Sequence, residues 1–209
     1  MGRRLWLAFT IGLVALPGTP RRTPGDGAPP AVRVLFPADQ SVLETGRFEL
    51  ICVADDDAKG APRLRIDGRA GRWQPYGLPV LVARLKLKPG RHAIAIGPTR
   101  LQVYVRGSDP SPEEAEWPAI RAHPGGTDGW KDCRACHEVA EENGRQSVGT
   151  LREPMACQQC HSSEDFQLAH FHPEKPLAGC HNCHALHGSP EKCLLKGPTK
   201  ALCAACHDS

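Results

Sequence analysis

Between Ala31 and Gly107 the apolar residues fall in short runs, many of them alternating with polar ones. Val32-Arg-Val34-Leu35-Phe36, Phe48-Glu-Leu50-Ile51-Cys52-Val53 and Leu64-Arg-Ile66 come first. Val80-Leu-Val82-Ala-Arg-Leu85-Lys-Leu87, Ala93 to Ile96 and Leu101-Gln-Val103-Tyr104-Val105 follow. A period of two places alternate side chains on one face of an extended chain, so each run predicts a half-buried strand. Asp67-Gly68, Lys88-Pro89-Gly90 and Gly97-Pro98 supply the turns between them. The pattern predicts a small antiparallel β-sandwich over residues 31–107.

The pattern fails on both sides of that module. Met1-Gly-Arg3-Arg4 precedes an apolar stretch of 12 residues, Leu5 to Leu16, which is the basic start and short apolar core of a signal peptide. Residues 1–18 are assigned to it, with an uncleaved anchor as the alternative because no clean small-residue cleavage site follows. No other stretch reads as a membrane span. Residues 19–30, rich in Pro, Gly and Arg, read as a flexible tether, and residues 108–129, dense in Pro, Gly and Glu, as a linker. Residues 130–209 hold few strong hydrophobes and predict short helices and loops with little regular structure. So apolar-poor a stretch is too small to close a core from its own side chains. The front module is similar to an immunoglobulin-like domain, including Leu87-Lys-Pro89-Gly90-Arg-His92 before a strand, a resemblance that implies architecture and not activity.

Cysteine changes the picture of the back half. Eight of the ten cysteines stand in four copies of Cys-x-x-Cys-His. The copies are Cys133-Arg-Ala-Cys136-His137, Cys157-Gln-Gln-Cys160-His161, Cys180-His-Asn-Cys183-His184 and Cys203-Ala-Ala-Cys206-His207, at intervals of 24, 23 and 23 residues. This pentapeptide is the attachment signature of c-type haem. On a helical turn, positions i, i+3 and i+4 share a face, so two thiols can form thioethers to one porphyrin while the imidazole reaches its iron. Zinc clusters need no His after each second Cys, and a disulfide framework leaves the four histidines unexplained. The motifs therefore predict four covalently bound haem c, with His137, His161, His184 and His207 as proximal iron ligands. The porphyrins would supply the missing core, so the domain is expected to be largely unfolded without haem. Cys52, inside an apolar run, reads as a buried small hydrophobe. Cys193 has no following His, and whether it pairs with Cys52 is left open.

The chain from Phe171-His172-Pro173 through Cys180-His-Asn-Cys183-His184-Ala-Leu-His187, Leu194-Leu195 and Cys203-Ala-Ala-Cys206-His207 closely resembles the doubled CxxCH domain of multihaem c-type cytochromes. The resemblance covers about 40 residues and implies an electron carrier with closely packed, low-potential haems in the periplasm or outside the cell. Each iron then needs a second axial ligand. Met155 is too near the second motif to reach across that haem. The remaining histidines offer His123, His170, His172 and His187. His187 follows His184 by three residues, so on a helix both face the same way and His187 should serve a neighbouring haem. His170 and His172 point to opposite sides of an extended segment. His123 precedes the first motif by ten residues. His92 in the β-region reads as a surface residue, and His181 as a filler of the variable part of its motif.

Charge adds less. Residues 31–107 hold 13 Lys/Arg against 7 Asp/Glu, and residues 131–209 hold 8 against 10. The basic side chains read as a solvated outer face of the strands, with docking of the module on an acidic haem domain or redox partner as the sharper alternative. Nucleic-acid binding is not expected, since the basic residues lack a compact cluster with interleaved aromatics. The expected function is electron transfer with redox protein partners, donor and acceptor unspecified, and with self-association or docking through the β-module open. The rival is a multihaem reductase with one five-coordinate haem.

Overall fold

The computed structural model of the chain describes residues 32–55, 58–109, 111–123, 132–161 and 179–207. The expected signal peptide and tether lie outside the described residues. The fold is mostly β. Strands β1 (Val32–Phe36), β2 (Ser41–Leu43), β3 (Arg47–Ala54), β4 (Leu64–Ile66), β5 (Arg69–Ala70), β6 (Val80–Lys86), β7 (Gly90–Ile96) and β8 (Thr99–Val105) make the front module. Helix α1 (Pro112–Glu116) and strand β9 (Ala119–Ala122) follow. Further on come the hairpin β10 (His137–Glu142) and β11 (Arg145–Leu151), helix α2 (Met155–Gln158), strand β12 (Gly188–Ser189) and helix α3 (Thr199–Ala204).

One sheet has the order β1-β3-β6 and another the order β12-β9-β2-β8-β7-β4-β5. Their inner faces share one core. Phe48, Leu50, Cys52 and Ala54 of β3 and Leu81, Ala83 and Leu85 of β6 meet Ile94 and Ile96 of β7 and Leu101 and Val103 of β8. Every contribution steps by two residues, which is the alternation seen in the sequence. The expected arrangement was wholly antiparallel, and the observed one is not. The short strand β2 runs parallel to both β8 and β9, pairing Val42 with Tyr104 and with Ala119.

The 108–129 stretch, expected as a linker, is structured over much of its length. Arg106 reaches Glu44 at 2.5 Å and Glu114 at 2.7 Å, and Arg91 reaches Glu113 at 2.7 Å while lying 5.1 Å over the Trp117 ring. These exposed pairs are individually weak, but they fix α1 against the module and deliver β9 to the sheet. The back half was expected to have little regular structure, yet it contains the β10–β11 hairpin. Its turn is Asn143-Gly144, both residues with positive φ (51° and 72°), as a two-residue hairpin loop of this kind requires.

Two junctions join front and back. Strand β12 pairs antiparallel with β9, Gly188 opposite Ala122 and Ser189 opposite Arg121. On another side the loop before β6 meets β11: Gly77 N–H donates to Gln146 O at 2.7 Å, and Gln146 N–H to Pro75 O at 3.0 Å. Both junctions are built on main-chain hydrogen bonds. Among the described residues no helix is long and apolar enough to cross a membrane.

Candidate haem-binding site

Three of the four motifs fold as a single tight turn. In the second, third and fourth, the His N–H donates to the carbonyl of the first Cys at 2.9, 3.0 and 2.9 Å, for His161, His184 and His207. The second Cys N–H donates to the same carbonyl at 3.2, 3.2 and 3.1 Å. One carbonyl thus gathers both thiol-bearing residues and the imidazole on one face. The first motif departs from this form: Cys136 N–H bonds Cys133 O at 3.1 Å, but His137 opens strand β10.

The orientation of two motif imidazoles is fixed from behind. His137 Nδ1 lies 3.1 Å from Gly149 O, and His184 Nδ1 lies 2.7 Å from Cys193 O. A carbonyl only accepts, so each Nδ1 carries the proton and donates, and each Nε2 keeps its lone pair for a metal. No disulfide joins any of the ten cysteines. Cys52 is fully buried in the core and Cys193 is exposed, so the two do not pair. Burial pushes the Cys52 thiol up to about 12, which makes it inert at neutral pH.

The first three motifs converge on Arg152 and Glu153. Arg152 N–H donates to Cys136 O at 2.9 Å, and its guanidinium to Arg134 O. The Glu153 carboxylate accepts from His181 N–H at 2.8 Å and also meets the His181 ring at Nδ1. Cys157 and Cys180 are hydrogen-bonded to each other, and their sulfurs and a Glu153 oxygen all lie within 4.8 Å. Burial, the Cys180 thiol, Glu153 and Cys136 together push the Cys157 thiol up to about 12. This trio is no Cys-x-x-Cys zinc centre: it draws one cysteine from each of two motifs, where zinc clusters use both, and Glu153 is already engaged by His181. Cys133 donates to the Tyr76 hydroxyl at 3.4 Å, which brings the front module to the first attachment site.

Residues 175–209 match the family model of the doubled CXXCH motif. That segment carries the covalent haem c attachment chemistry of c-type cytochromes, and it takes in the third and fourth motifs. No curated protein matches the chain.

The chain's residues fit the group. The attachment cysteines are half-buried or exposed, not packed in a core, as thiols that must reach a porphyrin have to be. Of the expected distal histidines, His170 and His172 lie outside the described residues. The helix expected to align His184 with His187 does not form: after His184 the chain pairs with the segment at Leu194, Ala185 N–H donating to Leu194 O at 2.7 Å, and Gly188 N–H bonds Ala185 O at 3.0 Å. The His187 ring instead lies beside His137 of the first motif, centroids 6.3 Å apart and planes 12° apart. His123 lies beside His161 of the second motif, 6.4 Å away with planes at 64°. His92 has both nitrogens engaged, Nδ1 with Asp67 at 2.7 Å and Nε2 with Lys88 O at 2.8 Å. Met155 is 66 % exposed. Arg152, Glu153 and Tyr76 stand out in no sequence motif. The hairpin that aims His137 does have a sequence signal, Asn143-Gly144 between two short runs of alternating residues.

Proposed function

We propose that the chain is an exported tetrahaem c-type cytochrome that carries electrons between redox protein partners through closely packed, bis-histidine haems. The observation that carries this reading is the turn shared by the second, third and fourth motifs, in which one Cys carbonyl gathers two thiols and an imidazole. Cys133 and Cys136, Cys157 and Cys160, Cys180 and Cys183, and Cys203 and Cys206 would each anchor one porphyrin. His137, His161, His184 and His207 would present Nε2 to iron, with His123, His170, His172 and His187 as distal ligands. Haem, when bound, supplies a reversible one-electron Fe(III)/Fe(II) couple.

The rest is done by the chain. Carbonyls behind His137 and His184 hold each ring in one tautomer and raise the basicity of Nε2, which favours Fe(III) and a low potential. The Cys157–Cys180 contact supports close packing, since thioethers at those sulfurs would bring two porphyrin edges together. Two axial imidazoles per iron leave no position for a substrate, so the reading is a carrier and not an enzyme. The front module is proposed to be an immunoglobulin-like scaffold for the haem half. Mass measurement of the denatured holoprotein tests the count: four haems held covalently per chain are expected, and one that keeps zinc without haem contradicts the reading.

A further inference from the structure

The ladder that joins the two halves ends at two candidate ligands. Strand β9 pairs Ala122 with Gly188 of β12 and Arg121 with Ser189. One step further in the same register sets His123 opposite His187. Opposed residues of an antiparallel ladder have Cα atoms about 4.5–5.5 Å apart, so the two histidines leave the sheet from neighbouring points. Their rings reach different motifs, His187 to His137 and His123 to His161.

The two ring separations, 6.3 and 6.4 Å, match the span that two imidazoles on one metal would have. A metal–imidazole bond of about 2.0–2.1 Å, plus about 1.1 Å from the nitrogen to the ring centre, taken twice, gives about 6.2 Å. His137 is also prepared for that role, because Gly149 O holds its Nδ1 and leaves Nε2 for iron. The ladder is pressed flush on the front core: a Cβ on Gly188 would lie 2.5 Å from Phe36 Cε2. Ser189 beside it is 2 % exposed and accepts from Glu191 N–H at 3.0 Å.

We infer that His187 is the second axial ligand of the iron held by His137, and His123 that of the iron held by His161. One β-ladder then delivers both distal ligands, and the front module is part of the haem site. The iron of the first motif ties that motif to the doubled CXXCH segment, and the iron of the second ties it to the end of β9. The inference rests on the bis-histidine reading above and adds the pairing.

Electron paramagnetic resonance of the oxidised full-length holoprotein tests it, with haem counted in every sample. Imidazole planes 12° apart act on the same iron d orbital and split the π-type pair, which gives an ordinary rhombic low-spin signal. Planes at 64° bring that pair toward degeneracy and give a low-spin signal with a larger maximum g. His187→Ala should turn one haem's worth of iron high-spin and lower the rhombic intensity. His123→Ala should do the same to the large-g signal, and His92→Ala should change neither. Variants that keep four haems and the full low-spin intensity overturn the pairing while leaving the bis-histidine reading intact. A strong high-spin signal in the unmodified protein overturns the bis-histidine reading itself, and the pairing with it. If a variant does not fold, a structure of the unmodified holoprotein decides: any other side chain on either iron overturns the inference.

Discussion

In the front half Leu50, Ile94, Ile96 and Val103 have no exposed surface, and they belong to a core fed by both sheets. Beyond Ile120 only one hydrophobe is buried among the described residues, Ala156. The front closes on its own side chains by the ordinary removal of apolar surface from water. The back is held by main-chain turns, by the Arg152–Glu153 bracket and by its two junctions with the front. The back half is rich in thiols and imidazoles, and the proposed haems would supply its apolar filling.

The largest difference between the halves should appear on leaving haem out. A haem-free chain is expected to keep slow amide exchange in β3, β6, β7 and β8 and to lose it across residues 132–207. Cooperative unfolding of the back half in the haem-free protein would contradict this. Leu50→Ala probes the other side of the comparison. A fully buried Leu cut to Ala costs about 2–5 kcal/mol, seen as a lower denaturant midpoint, with the spin state of the folded holoprotein unchanged.

Gly188→Val probes the junction. The added side chain must displace Phe36, at a cost of about 1–3 kcal/mol for overpacking. It should also shift the haem spin state, which a defect confined to the front core would not do. The smallest effect is expected at Asp67. Burial raises its carboxyl, but bonds from His92 and from Ala93 N–H outweigh that and hold it below the usual carboxylate value. A depressed folded value stabilises the fold above the unfolded value, near 3.8, and that contribution is lost as pH falls through the folded value. The Asp67 side chain is 45 % exposed, so solvent screening keeps the contribution below about 1 kcal/mol. Asp67→Asn should therefore flatten the acid limb of the stability curve slightly and leave haem content alone.

The two halves were also unequally legible. Period-two runs located β3, β6, β7 and β8 and their inward faces, because strands with one buried face declare themselves by alternation. Strand β2, with Ser41, Val42 and Leu43 all buried, has no alternation, and so its parallel pairing was invisible. Strands β9 and β12 are only four and two residues long. Composition concealed them, since Pro and Gly dominate their surroundings. The motif cysteines and histidines were legible from spacing alone, since the chemistry fixes it. Which histidines stand opposite one another was not, because that depends on a ladder between residues 66 positions apart, Ala122 and Gly188. Asn143-Gly144 was the signal available for the hairpin behind His137.

Front and back together are proposed to hold haem irons between pairs of imidazoles, ready to pass electrons and closed to substrate. The most direct measurement is electron paramagnetic resonance of the oxidised, unmodified holoprotein, with covalent haem counted in the same sample. Four haems per chain, all low-spin, are expected. A substantial high-spin signal would contradict it and point to an iron with an open coordination position.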